Sequence, residues 1–214
     1  MHRRPRERER ERVRVFFAIA LEGAARDAAE ALLSELRTAQ HADAVRWVRP
    51  EGLHVTLRFL GEIAAAQVER LTRAVADELA SCAPFELSLG AVRGFPTPRR
   101  PRVVACEVAP QEPIAELAAA VSRGTAREGF APEVHAFRAH LTLGRVRRGK
   151  SAKLAAVSAP ANARMRVHQA VLFQSELHRS GARYSPLEHV ALGATVTPDS
   201  QKLPTQKKLP TQKE

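Results

Sequence analysis

The chain has 214 residues, 44% hydrophobic and 27% charged, which is enough to bury one core, and no stretch approaches the roughly 18 consecutive apolar residues of a membrane span. Formal net charge is +11, of which residues 1–12 carry +3 and residues 199–214 carry +2, leaving +6 for residues 13–198. A body of that charge favours a polyanionic partner over a membrane, because Lys and Arg neutralise phosphates and release their counterions.

The opening HRRPRERERERVR alternates charge sign without apolar periodicity, so residues 1–12 are expected to form a solvated, disordered arm. VRVFFAIAL then reads as a buried strand. It is not a signal peptide, because three Glu interrupt the basic stretch and the apolar run is short. Ala25, Ala28, Ala29, Leu32, Leu33 and Leu36 follow at helical spacing on one face. Leu53 to Leu60 is apolar at alternate positions, as a strand should be, and Val68, Leu71, Val75 and Leu79 form the inner stripe of a second helix. Phe85, Leu87, Leu89 and Ala91 alternate as a half-buried strand.

GFPTPRRP marks a loop before the strand RVVACEV. A third helix carries Ile114, Leu117, Ala118 and Val121 and leads to a strand around Phe137 to Val146; RVHQAVLFQSEL and the stretch near HVALG supply more strands. QKLPTQKKLPTQKE repeats LPTQK and has too few apolar groups to pack, so residues 198–214 are expected to be a disordered tail. Cys82 and Cys106 fit no metal-ligand spacing and are expected to be reduced thiols of a cytoplasmic protein. The expected architecture is α+β. Residues 13–197 form one domain of two βα-containing lobes related by a pseudo-twofold axis, with antiparallel sheets lining a central cleft and helices outside.

Two strands carry the same tetrapeptide, H-x-T-L, at Leu53-His54-Val55-Thr56-Leu57 and Ala139-His140-Leu141-Thr142-Leu143. Strict alternation puts His54, Thr56 and Arg58 on one face and Leu53, Val55, Leu57 and Phe59 on the other. It likewise puts His140, Thr142 and Gly144 on one face. Each strand therefore offers an imidazole and a hydroxyl to one side, and a pseudo-twofold axis would make the pairs face each other.

Opening a cyclic phosphate with water needs a base for the water proton and an acid for the leaving oxygen, and two imidazoles supply both. Threonine hydroxyls can donate to the non-bridging oxygens as charge builds. Neither a metal nor another cofactor is required. Either histidine could take either role on chemistry alone. His135, His168, His178 and His189 lack the threonine at i+2 and are expected to be incidental.

From about Val13 to Leu192 the chain resembles the RNA 2',3'-cyclic phosphodiesterases of the two-histidine phosphoesterase superfamily, formerly described as 2',5'-RNA ligases. The blocks that carry the resemblance are VRVFFAIAL, WVRPEGLHVTLRFLGEI, FRAHLTLGRVRR and LFQSELHRSGARYSPL. It implies His54 as proton donor, His140 as proton acceptor, Thr56 and Thr142 on the phosphate, and Arg145 as a substrate contact. It also implies a monomer acting on RNA ends that bear 2',3'-cyclic phosphate, tRNA fragments among them, with a 2'-phosphate product and weak reverse ligation. Phe95, Arg99, Arg100, Arg102, Arg147, Arg148 and Lys150 are candidates for tracking RNA or stacking on a base, while Glu176 and Tyr184 are expected to be structural. Two alternatives stay open: a phosphodiesterase for 2',5'-linked oligonucleotides or small cyclic nucleotides, and a module that binds RNA ends without turnover.

Overall fold

A computed structural model describes residues 11–38, 42–97, 99–133, 136–150, 152, 154, 156–178 and 181–193. The expected N-terminal arm up to residue 10, the expected tail and His135 lie outside the described residues.

Nine strands form one sheet: β1 (Arg12–Ala20), β2 (Val45–Trp47), β3 (His54–Ala64), β4 (Phe85–Phe95), β5 (Val103–Ala109), β6 (His140–Val146), β7 (Arg164–Val167), β8 (Gln169–His178) and β9 (Gly181–Ala191). Their order is β7-β4-β5-β6-β3-β1-β8-β9, with β2 added on β6, and the pairings are antiparallel. The order mirrors itself about the β6–β3 junction: β5 corresponds to β1, β4 to β8 and β7 to β9. The two expected sheets are thus continuous, and the pseudo-twofold axis passes through the Val55–Leu141 pair that joins them.

Three helices cover one side: α1 (Gly23–Thr38), α2 (Val68–Leu79) and α3 (Gln111–Arg127). The six residues predicted for the inner face of α1 are its buried residues. In α2, Leu71, Val75 and Leu79 are fully buried. Each such side chain contributes about 1.5–3 kcal/mol by leaving water, which fixes α2 against α3 and the sheet. α1 packs over β7 and β4, whereas α2 and α3 pack on each other and against β9 and β3. Among the described residues, no helix is long and apolar enough to cross a membrane.

Strict alternation fails just past each H-x-T. On β3, Ala18 pairs with Thr56 but Phe17 pairs with Arg58, so Leu57 is an extra residue in the strand. On β6, Ala105 pairs with Thr142 but Val104 pairs with Gly144, so Leu143 is extra at the matching position. Such a bulge turns the residue after it to the same side as the extra residue. Arg58, expected beside His54, is therefore turned into the core with 3% exposure, and Phe59, expected to be apolar-side, is 53% exposed. Gly144, expected beside His140, instead faces β2, where a Cβ would lie 2.5 Å from Val45 and 2.9 Å from Trp47.

A second extra residue, Leu60, precedes Gly61, whose φ of 73° only glycine adopts without strain. The β6 strand begins at His140, later than expected, and Phe137 lies outside it with 37% exposure.

Candidate active site

The face of the sheet turned away from the helices carries the site. Val15, Phe17 and Ile19 of β1 and Val104, Cys106 and Val108 of β5 belong to the hydrophobic core; Phe16, Ala18 and Ala105 are buried but stand outside it, on the opposite face. Residues paired across a ladder share a face, so Ala20, Ala18 and Phe16 mark the groove side next to His54, Thr56 and Phe59. In the other half Glu107, Ala105 and Val103 mark it next to His140, Thr142 and Arg145. The bulges are what bring Phe59 and Arg145 to this side. They are symmetry equivalents.

With Val55 opposite Leu141, antiparallel register sets His54 opposite Thr142 and Thr56 opposite His140. Directly opposed side chains stand about 4.5–5.5 Å apart at Cβ, so the four functional groups occupy a compact square. Each threonine has an alanine, Ala18 or Ala105, on its outer side, which leaves room above the square.

Each ring is held in the same way. His54 Nδ1–H donates to the Gly52 carbonyl at 2.8 Å, and His140 Nδ1–H donates to the Arg138 carbonyl at 3.0 Å, in both cases two residues back. That contact fixes the tautomer and leaves Nε2 as the atom available for chemistry. His54 Nε2 lies 3.0 Å from the Thr56 hydroxyl, which donates to the neutral ring. Phe173 of β8 lies 6.2 Å from His54 between ring centroids, and Phe95 of β4, its counterpart, lies 6.0 Å from His140.

The surroundings of the two imidazoles differ. Phe16 packs 4.8 Å from His54 and Tyr184 meets it edge-on at 5.1 Å, also closing over Gly52. His140 is exposed. Burial pushes the His54 pKa down from 6.5 to about 4; the Gly52 carbonyl works against that shift and the positive charge of His140 adds to it. The free site thus holds His54 neutral at pH 7.

All five predicted residues, His54, Thr56, His140, Thr142 and Arg145, lie on the groove face. Tyr184 stands beside the catalytic ring, and Glu176 is paired with His178 at 3.7 Å. Phe95, expected in a loop, ends β4 under the Arg138 guanidinium, 5.1 Å from its ring. The aromatic neighbours Phe16 and Phe173 were not singled out from sequence, because only the strand order brings them to His54. Cys82 and Cys106 are free thiols, and burial pushes the Cys106 pKa up to about 11. Among the described residues, no three His, Cys, Asp or Glu side chains gather as metal ligands.

A mirrored sheet with one H-x-T pair per half on a shared face is the architecture of the two-histidine phosphoesterases. The profile of the family described as "LigT like Phosphoesterase" matches residues 19–105 and again 106–184, so the chain belongs to that family. It is 34% identical over 180 residues to the RNA 2',3'-cyclic phosphodiesterase of Methanothermobacter thermautotrophicus, covering 81% of this chain and 95% of that one. It is 32% identical over 177 residues to the protein of the same name from Archaeoglobus fulgidus, covering 81% and 97%. The crystal structure of E. coli LigT complexed with 3'-AMP superposes with a TM-score of 0.71 at 28% identity, covering 85% of this chain and 99% of that one.

Proposed function

We propose that the protein is an RNA 2',3'-cyclic phosphodiesterase that opens the ring to a 2'-phosphomonoester without a metal, by general acid and base catalysis. The observation that carries this reading is the square of two imidazoles and two hydroxyls on one groove face, each ring tied through Nδ1 so that Nε2 moves the proton. Relatives that cover four fifths of the chain bear the name of this activity.

His140, the exposed ring, takes a proton from water on Nε2 while the water oxygen bonds to phosphorus. The P–O3' bond breaks on the opposite side, and His54 Nε2–H gives its proton to O3', leaving the phosphate on O2'. Thr56 and Thr142 donate to the non-bridging oxygens as negative charge accumulates, and Arg145 binds substrate. Because burial keeps His54 neutral in the free site, it must gain its proton as the phosphate anion enters and offsets the desolvation. An RNA 5'-hydroxyl in place of water would form a 2',5' linkage by the same steps. Water, in far higher concentration, keeps that ligation weak.

The test is product analysis on a short RNA ending in 2',3'-cyclic phosphate, incubated with EDTA. A 2'-phosphate product formed at an undiminished rate is expected. Loss of activity in EDTA would remove the metal-free mechanism, and a 3'-phosphate product would remove His54 as donor to O3'. Tight binding with no product would leave an RNA-end-binding module, and faster cleavage of 2',5'-linked oligonucleotides would move the substrate class.

A further inference from the structure

The two ends of the groove are chemically opposite. β3 and β6 run antiparallel through the site, so β6 continues past Thr142, at the His54 end, to Arg145, while β3 continues past Thr56, at the His140 end, to Phe59. At roughly 3.3 Å per residue, each stands about 10 Å beyond the square.

At the His140 end Phe59, Leu60, Phe130, Pro132 and Glu133 line a hollow of about 440 Å³. The cation there, Arg58, is buried and its guanidinium donates to Ser122 and to the Ala131 carbonyl. At the His54 end β2 pairs Arg46 with Arg145, and these two with Arg147 and Arg148 surround a hollow of about 300 Å³. It shares Arg147 and Arg148 with a larger trough of about 1050 Å³ that adds Arg99, Arg100, Arg102 and Lys150.

No acidic residue lines either space. All eight cations are exposed, and among the described residues none enters an ion pair. Those eight exceed the net +6 of residues 13–198, so one end of the groove holds more than the whole charge surplus of the body. Exposed arginines left without carboxylates are what a phosphate backbone neutralises.

Resting on the phosphodiesterase reading, we propose that the RNA strand leading to the terminal nucleotide leaves the site at the His54 end and lies across Arg46, Arg145 and the trough formed by residues 99–102 and 146–150. The chemistry sets the direction. His54 protonates O3', which belongs to the terminal nucleoside, so the nucleoside and the strand behind it extend from His54, while water enters at the open His140 end. The protein is therefore selective for oligonucleotides over mononucleotides.

The experiment compares an oligonucleotide of about eight nucleotides ending in 2',3'-cyclic phosphate with 2',3'-cyclic AMP, for the wild type and for the doubly reversed variant Arg100→Glu, Arg148→Glu. KM for the oligonucleotide should lie about tenfold to a hundredfold below that for the mononucleotide at low salt. Its logarithm should rise with log salt by about 0.7 per phosphate contacted. The double variant should erase that gap while the constants for cyclic AMP move less than about twofold, and reversing Arg73 on the helical side should leave the gap intact.

Binding of the same oligonucleotide with a terminal 2'-phosphate, followed by fluorescence anisotropy, gives a readout independent of turnover. Equal KM values for the two substrates, or a gap that survives the double reversal, would overturn the strand path and leave the phosphodiesterase standing. Absence of turnover on both substrates would overturn the phosphodiesterase reading instead, and with it the direction assigned to the strand. Crosslinks from 4-thiouridine placed upstream of the terminus should fall on residues 99–102 and 146–150; crosslinks on residues 130–133 would reverse the direction.

Discussion

The two halves of the sheet present the same six-residue unit on strands bulged at the same point, yet what surrounds each copy differs. In the first, Phe16 and Tyr184 bury the imidazole, the post-bulge residue is a core arginine and the groove-end residue is Phe59. In the second, the imidazole is exposed, the post-bulge residue is Gly144 under β2 and the groove-end residue is Arg145. Symmetry supplies two like groups on opposite sides of one phosphate. Asymmetry of burial and charge gives them different work.

The largest expected effect tests the part that is the same. His54→Ala and His140→Ala should each lower kcat by about 10²–10⁴-fold, and the double variant should fall little further because the two rings act as a unit. Steady-state kinetics on cyclic-phosphate RNA decides this; near-normal turnover in either single variant would make that half a scaffold only. Thr56→Val and Thr142→Val should each cost about 10²-fold in kcat with KM little changed, the pattern of a donor aimed at developing charge.

The parts that differ should respond in stability. Arg58→Met strands the Ala131 carbonyl and the Ser122 hydroxyl, and a loss of about 2–4 kcal/mol by urea unfolding is expected. Gly144→Ala drives a methyl into Val45 and Trp47, costing about 1–3 kcal/mol. The Arg46 end of the groove should loosen with it, seen as faster amide exchange in residues 45–47. No amide change there would mean that β2 does not depend on this contact.

The subtlest test concerns protons. The fold holds His54 neutral with a pKa near 4, below its unfolded 6.5, so its contribution to stability is complete above pH 6.5 and is lost as pH falls toward 4. The difference in Tm between wild type and His54→Asn should shrink across that window. NMR titration of the His54 ring should show the low value in the free protein and a rise when a nucleotide 2'-phosphate binds; a ring that stays neutral in the complex would exchange the acid and base roles.

The helices were legible because their 3.6-residue period is local: the inner faces of α1, α2 and α3 follow from apolar spacing alone. The H-x-T pairs were legible for a similar reason, since i and i+2 share a face wherever a strand is regular. The positions just beyond were not, because an extra residue leaves composition and periodicity almost untouched while reversing every later side chain. Arg145 illustrates the point. Alternation turns it away from His140, only the family resemblance nominated it, and the bulge at Leu143 supplies the physical reason. β2 spans three residues, too few to show a period, and the aromatic flanks of the histidines depend on strand order.

The parity change after each threonine also separates two kinds of information within one short peptide. The imidazole and hydroxyl precede it, and a core position, Arg58 or Gly144, absorbs it. The next residue then returns to the groove, two ladder steps from the chemistry. That last position can therefore be exchanged without moving a reacting group, and here it holds a phenyl ring in one copy and a guanidinium in the other. A gene-duplicated lobe built this way can keep its reaction fixed while its taste in ligands drifts, one residue at a time.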